Sequence, residues 1–176
     1  MAFLTSLALL AISYFAGNAG AATITAPKSD MIYFVMLDRF ANGDLKNDQG
    51  SANGSTNVSQ TGFLPSDPGY YHGGDIKGVT DQIGYIKSLG FTAIWVTPIV
   101  RQNTVQGGSA AYHGYWGLGF DQVDPHLGSM QDWKNFVTAA HASGLKVILD
   151  IVLNHTGDII KSVSYTHLTL PTKRIV

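Results

Sequence analysis

The sequence predicts an α/β fold in which parallel strands alternate with helices. Three features predict it: three short apolar runs, a long polar loop after each of the first two runs, and an amphipathic helical pattern between successive runs. Continuously apolar runs are typical of strands buried on both faces, and parallel strands need helical crossovers. A chain of 176 residues is long enough for one such domain.

We expect strands at residues 31–37, 91–96 and 145–152, which are the three apolar runs. The loops at residues 41–74 and 101–128 are rich in Gly, Asn, Asp and Ser and are longer than ordinary connections. Long loops on a regular scaffold commonly carry function, so both are candidates for the functional site.

The first helix is predicted at about residues 78–88. Val79, Ile83 and Ile86 are spaced to share one face, and Gly90 is a stop signal. The spacing therefore predicts a helix that packs this face on the sheet.

A capping pair, Ser129 and Asp132, predicts the start of the second helix, which Gly144 ends. Its shared apolar face is formed by Trp133, Phe136, Val137 and Ala140. Repetition of strand, long loop and helix implies right-handed crossovers, as in a (β/α)8 barrel or a doubly wound sheet. In both folds the loops at the carboxyl ends of the strands carry the chemistry.

The composition excludes several classes of protein. The net charge is -1, hydrophobic residues make up 45% of the chain, and Cys is absent. These values argue against a disordered tail, a polybasic nucleic-acid-binding arm and a disulfide or zinc-thiolate scaffold. All 12 acidic residues are Asp, so a mechanism that requires Glu cannot be completed by this chain.

The two ends of the chain differ from the middle. An apolar run at residues 3–15 precedes Ala19-Gly20-Ala21, so residues 1–21 are expected to be an export signal of bacterial type and the protein to be secreted. The run is shorter than the ~18 apolar residues of a membrane anchor. Residues 22–161 form the expected domain, and residues 162–176 continue no earlier pattern and are expected to be non-native.

Hard oxygen donors cluster in the first loop. They are Asn42, Asp44, Asn47 and Asp48, with Gly73 and Asp75 further along the chain. Ca²⁺ takes six to eight oxygen ligands in flexible geometry and suits such a set, whereas turn formation alone is the alternative. The loop is not an EF-hand, because Asn47 and Asn53 occupy the positions that need Gly and Glu.

Aromatic rings and histidines mark the other two strand ends. Residues 112–116 read Tyr-His-Gly-Tyr-Trp, which is a plausible stacking platform for a sugar ring, with buried packing as the alternative. In the third strand, alternation is expected to place Asp150 and Asn154 on one side and His155 on the other. A structural role is the alternative for a single histidine at a strand end.

Taken in order, these segments resemble the N-terminal part of the alpha-amylase family of glycoside hydrolases, in particular bacterial secreted members similar to cyclodextrin glucanotransferases and pullulan-processing amylases. The matching motifs are Asp38-Arg39-Phe40, Asn42-Gly43-Asp44, Gly73-Gly74-Asp75, Ala93 to Pro98, Tyr112 to Trp116, and Asp150 with Asn154-His155. The resemblance covers roughly residues 29–158.

The resemblance implies an α/β fold of a specific kind, a (β/α)8 barrel truncated after the third strand. It implies a calcium site at Asn42, Asp44, Asn47, Asp48, Gly73 and Asp75, and it makes Asn154 a ligand of a second, interdomain calcium ion. It also implies that His113, Tyr115, Trp116 and His155 bind the sugar at the cleavage subsite, with Tyr115 stacked beneath it.

The implied activity is cleavage of α-1,4-glucosidic linkages in starch-like glucans by a retaining mechanism. The family's Asp nucleophile and Glu acid/base lie on later strands, so the chain by itself is expected to be inactive. Two alternatives stay open: a cyclodextrin-forming glucanotransferase of the same family and a non-catalytic glucan-binding protein. Neither nucleic acid nor a membrane is an expected partner.

Overall fold

The computed structural model describes residues 30–50 and 53–159, so the predicted export signal and the tail from residue 162 lie outside the described residues. In chain order the elements are β1 (Ile32–Val35), α1 (Val58–Thr61), α2 (Ile76–Asp81), α3 (Ile83–Ser88), β2 (Ala93–Val96), β3 (Val100–Gln102), β4 (Val105–Gln106), β5 (Ser109–Ala110), β6 (Gly117–Val123), α4 (Met130–Ala142) and β7 (Lys146–Leu149). A 3-10 turn, Leu37–Arg39, follows β1.

The strands β1, β2 and β7 form one parallel sheet in that order, which confirms the predicted arrangement. Within residues 30–50 and 53–159 this sheet is open, and no closed barrel is formed. Each strand is four residues long and therefore shorter than predicted. The third strand ends at Leu149, so the expected alternation of residues 150–155 across a strand is wrong.

Two other predictions need correction. The helix expected at residues 78–88 is two helices, because Gln82 leaves the helical region with φ -101° and ψ 9°. The segment 101–128 is not an open loop but contains the antiparallel pair of β3 and β6 and the small hairpin of β4 and β5. The hairpin turns at Gly107-Gly108, both with positive φ, as a two-residue hairpin turn requires.

The core lies between one face of the sheet and the helices. It joins Ile94 and Val96 of the sheet to Val79 of α2, Ile86 of α3 and Phe136 of α4. Ser129 and Asp132 cap α4 reciprocally, as predicted, and its expected apolar face packs on the core. The helices thus cover one face of the sheet.

The opposite face of the sheet is exposed. Strand register aligns Phe34, Trp95 and Ile148 in one row, and these residues are 54%, 39% and 37% exposed. The strands are therefore buried on one face only, rather than on both faces as the apolar runs predict. In the part of the chain that the structure describes, no helix combines the length and apolarity needed to cross a membrane.

We predict that the 176-residue chain on its own self-associates through this row, because contiguous exposed apolar surface favours association. Light scattering should show a concentration-dependent increase in size. Joint replacement Phe34→Thr and Trp95→Thr should reduce it, whereas Tyr85→Thr, at an exposed position on α3, should not. A monomeric wild-type chain at all concentrations would contradict the prediction.

Candidate functional site

The carboxylate of Asp75 organises the first loop. Its Oδ1 accepts hydrogen bonds from the backbone N–H groups of Gly43 at 3.1 Å and Gly78 at 2.6 Å. Its Oδ2 accepts from the backbone N–H of Asp44 at 2.8 Å and from Asn47 Nδ2 at 3.0 Å. Asp75 is fully buried and is also the N-cap of α2. One side chain therefore both starts the helix and folds the loop against it.

A second contact closes the loop. Asn42 Nδ2 donates to Asp48 Oδ1 at 2.7 Å. Gly73 lies against both side chains, because a Cβ on this residue would come within 2.5 Å of Asn42 Nδ2 and 2.7 Å of Asp48 Oδ1. Its φ of 93° also favours glycine. These contacts connect the six residues for which a calcium site is expected, which are Asn42, Asp44, Asn47, Asp48, Gly73 and Asp75.

The electrostatics of this loop suit a cation. Burial raises the pKa of Asp48; the hydrogen bond from Asn42 opposes this rise, and the charges of Asp75 and Asp44 add to it. Asn47 Oδ1 is buried without a hydrogen-bond partner among the described residues. A buried oxygen without a hydrogen-bond partner is unusual, and an amide oxygen is a ligand that Ca²⁺ accepts.

The donor set is mixed rather than purely carboxylate. Among the described residues no cluster of three or more His, Cys, Asp or Glu side chains has metal-binding geometry. The set relies instead on amide and carbonyl oxygens with a few carboxylates, which are the ligands that Ca²⁺ accepts. The residues present therefore fit Ca²⁺ and do not fit a metal that requires nitrogen or sulfur ligands.

The second set of residues converges on Tyr115, whose polar atoms all have partners. Its backbone N–H donates to His113 Nδ1 at 3.0 Å, and its carbonyl oxygen accepts from His155 Nε2 at 3.0 Å. Its hydroxyl donates to Asp150 Oδ2 at 2.6 Å. The predicted residues His113, Tyr115 and His155 thus lie together, and Asp150 completes the group.

The protonation states follow from these contacts. The hydrogen bond to Asp150, together with burial and the charge of that carboxylate, raises the pKa of Tyr115 to about 12, so the hydroxyl remains a donor at neutral pH. Burial lowers the pKa of His113, which favours the neutral ring, and the neutral ring can accept from Tyr115 through Nδ1. Acidification below this lowered pKa would place a proton on Nδ1 and remove the acceptor for the Tyr115 N–H.

The aromatic rings are arranged around His113. The rings of His113 and Tyr115 are nearly parallel, with centroids 5.8 Å apart and planes at 18°. Trp116 approaches His113 edge-on at 4.7 Å and also packs against the cluster of Tyr71, Ala110 and Ala111. Trp116 therefore has a packing role whether or not it contacts a sugar.

Asn154 lies beside His155 in the segment that follows β7. Its side chain is exposed and makes no hydrogen bond within residues 30–50 and 53–159. With Phe120 and His155 it lines an open groove of ≈ 400 Å³. Within the described residues, Asn154 thus shares no hydrogen bond with the other six predicted calcium ligands.

Sequence reasoning missed the polar contacts that connect these regions. Gln102 Oε1 accepts from the backbone N–H of Trp116 at 2.7 Å, while its own backbone N–H donates to Asp124 Oδ2 at 2.9 Å. His126 lies 2.9 Å from Asp124 Oδ1 through Nδ1 and 2.7 Å from the Thr61 carbonyl through Nε2. These partners lie up to 65 positions apart in the chain, so no local pattern predicts them.

The family description "Alpha amylase, catalytic domain" matches residues 34–167. The chain belongs to the alpha-amylase family. Membership implies a TIM-barrel fold, of which the described residues form a partial, open sheet.

Similar proteins include amylases and glucanotransferases. This alpha-amylase-family chain is 49% identical over 115 residues to an alpha-amylase of Streptomyces lividans. The matched region covers 62% of this chain and 12% of that protein. It is 37% identical over 134 residues to a cyclomaltodextrin glucanotransferase of Klebsiella oxytoca, and this matched region covers 74% of this chain and 19% of that protein.

Solved structures give the same grouping. The crystal structure of CldA, a cyclomaltodextrin glucanotransferase, matches with a TM-score of 0.65 and 46% identity over 74% of this chain and 27% of that chain. An alpha-amylase from Geobacillus thermoleovorans complexed with acarbose matches with a TM-score of 0.57 and 47% identity over 73% and 24% of the two chains. This alpha-amylase-family chain thus spans well under a third of the length of each relative.

We predict that Asp75→Ala destabilises the full-length protein by about 2 to 4 kcal/mol, because it removes a helix cap and leaves buried N–H groups without acceptors. Urea unfolding measures the free energy, and hydrogen exchange at Gly43 and Asp44 should accelerate. Asp81→Ala, an exposed carboxylate on the same helix, is the control and should change little. Equal effects of the two substitutions would contradict the role assigned to Asp75.

Proposed function

We propose that the full-length protein is a secreted glycoside hydrolase that cleaves α-1,4-glucosidic linkages of starch-like glucans by a retaining mechanism. The fixed ring of Tyr115 carries this proposal. Its three polar atoms are bound by His113, His155 and Asp150, which leaves the ring itself as the available contact surface. A flat ring suits the apolar face of a sugar, and the relatives named alpha-amylase support the substrate class.

The chemistry requires residues beyond those in this chain. A retaining mechanism uses two carboxyl groups about 5 to 5.5 Å apart, one as nucleophile and one as acid/base. The chain contains no Glu, and the Asp150 carboxylate is engaged by the Tyr115 hydroxyl. We therefore infer that these residues bind and orient the sugar, and that the 176-residue chain alone does not hydrolyse starch.

A glucanotransferase that forms cyclodextrins is the second candidate. The observation that favours it is the similarity to cyclomaltodextrin glucanotransferases, one of which gives a TM-score of 0.65. Product analysis separates the two, since a transferase yields cyclic products from starch and a hydrolase yields linear ones. A non-catalytic glucan-binding protein would bind starch without either product.

We also propose that the first loop binds Ca²⁺ through Asn42, Asp44, Asn47, Asp48, Gly73 and Asp75. The buried, unpartnered Asn47 Oδ1 and the raised pKa of Asp48 support it, because a cation would relieve both. The ion would supply charge neutralisation to the loop and no chemistry to the glycosidic bond. Asn154 is proposed as a ligand of a separate, interdomain calcium ion.

We predict that chelation lowers the melting temperature of the full-length protein. A ligand that binds only the folded state stabilises it by about 2.7 kcal/mol at a hundredfold excess over Kd. Differential scanning calorimetry with Ca²⁺ and with a chelator measures the shift.

Asp44→Ala should remove the dependence on Ca²⁺, and Asp81→Ala should retain it, because Asp81 is an exposed carboxylate that is not one of the proposed ligands. Identical melting curves for the wild type with and without chelator would contradict the calcium site.

We predict that Tyr115→Ala lowers kcat/KM of the full-length enzyme on maltooligosaccharides by roughly 10²-fold or more, because the stacking surface is lost. Tyr115→Phe should retain the ring but lose the bond to Asp150, and should therefore fall between Tyr115→Ala and the wild type. Steady-state kinetics at saturating and limiting substrate provide both parameters.

Tyr85→Ala is the control, since Tyr85 is exposed on α3 and should leave the kinetics unchanged. If Tyr115→Ala and Tyr85→Ala behave alike, Tyr115 is a packing residue and the platform is wrong.

A further inference from the structure

The loop between β1 and α2 contains the same dipeptide twice, as Asn42-Gly43 and Asn53-Gly54. In an Asn-Gly pair the backbone nitrogen of Gly can attack the side-chain amide carbon of Asn, because glycine has no Cβ to obstruct the approach. The reaction requires a backbone that can rotate and an N–H that can lose its proton. The two pairs differ in both respects.

At the first pair both reacting groups are held. The backbone N–H of Gly43 donates to Asp75 Oδ1 at 3.1 Å, and Asn42 Nδ2 donates to Asp48 Oδ1 at 2.7 Å. Gly43 also packs closely on α2, since a Cβ at this position would come within 2.7 Å of the Lys77 carbonyl carbon. A nitrogen bound to a carboxylate cannot readily lose its proton or turn toward the Asn42 side chain.

At the second pair neither group is held by a described residue. Asn53 and Gly54 are exposed, and no atom lies within 4 Å of a Cβ built on Gly54. Within residues 30–50 and 53–159, neither the Asn53 side chain nor the Gly54 N–H has a hydrogen-bond partner. Asn53 is the one non-glycine residue of the described chain with a positive φ, at 50°, a conformation that costs free energy and favours exchange with others.

We propose that Asn53-Gly54 is a site of spontaneous deamidation and that Asp75 prevents the same reaction at Asn42-Gly43. The Gly54 nitrogen loses its proton and forms a bond to Asn53 Cγ, the Cγ–Nδ2 bond breaks, and ammonia leaves with that proton. Water then opens the resulting five-membered imide at either carbonyl. The products are aspartate and β-linked isoaspartate, and the net change is gain of water and loss of ammonia.

The modification adds a negative charge to a loop that already contains Asp44 and Asp48. The shielding of Asn42 preserves an amide that the calcium proposal counts among the donors. Deamidation at residue 53 itself does not depend on that proposal, since it follows from exposure and backbone geometry alone.

The experiment compares the two dipeptides within one molecule. The full-length protein is incubated in mildly alkaline heavy-oxygen water, once folded and once in urea, and then digested with trypsin. Cleavage after Arg39, Lys46 and Lys77 places Asn42 in the peptide 40–46 and Asn53 in the peptide 47–77. Fragment spectra distinguish Asn53 from Asn47 and Asn57, and the heavy oxygen marks only events during the incubation.

In the folded protein we expect labelling at residue 53 to exceed labelling at residue 42 by about ten-fold or more, because deamidation of Asn42 requires local opening of the loop. In urea the two rates should converge. Equal labelling in the folded protein, or none at residue 53, overturns the proposal.

Two variants extend the test. Asn53→Gln should abolish the label assigned to residue 53 while leaving the rest of the peptide unlabelled. Asp75→Ala, shown to be folded at the incubation temperature by its unfolding curve, should raise labelling at residue 42 toward the rate in urea. Unchanged labelling at residue 42 in that variant would overturn the shielding role of Asp75.

Discussion

The buried carboxylate of Asp75 is the interaction on which the rest of the first loop depends. It accepts four hydrogen bonds, from Gly43, Asp44, Asn47 and Gly78, and so joins a polar loop to the start of α2. A buried carboxylate is costly unless both oxygens are satisfied, and here the donors are two backbone N–H groups and one amide of the loop and one N–H at the start of α2 that would otherwise lack a partner. One of the four bonds caps α2 and the other three hold the loop, so an ion would bind to a loop whose shape the Asp75 carboxylate has already set.

Hydrogen bonds also fix Tyr115, which lies just before β6 and contacts the segment after β7. The neighbouring His113 supplies one partner, and the segment after β7 supplies the other two, Asp150 and His155, so hydrogen bonds from two parts of the chain hold this residue. Gly114 makes this approach possible, since it has a φ of 87° and lies against the Pro98 carbonyl where a Cβ would collide. Trp116 is linked through Gln102 to Asp124, and Asp124 to His126, so a chain of polar contacts runs from this platform back to Thr61 in the first loop.

The sequence predicted the parts that local patterns determine. The three parallel strands, the capping box of α4 and the helix faces followed from apolar spacing and from Ser129 and Asp132. The β3–β6 pair was missed because its strands contain glycine and polar residues and its register is irregular, so no alternation marks it. His126 was missed for another reason: its partners come from distant segments, and a histidine followed by Leu-Gly has no local signal for a buried role.

The two faces of the sheet differ in exposure, and neither candidate site depends on the exposed face. On the helix side the apolar residues are buried, whereas Phe34, Trp95 and Ile148 on the other side are exposed. The contacts around Asp75 and Tyr115 involve neither that row nor any residue outside the described chain. They are made by polar groups at the carboxyl ends of the strands, where loops and helix starts supply the partners. The geometry of both candidate sites is therefore set by hydrogen bonds near the strand ends, and covering the exposed row would add stability to the sheet without having to rebuild either site.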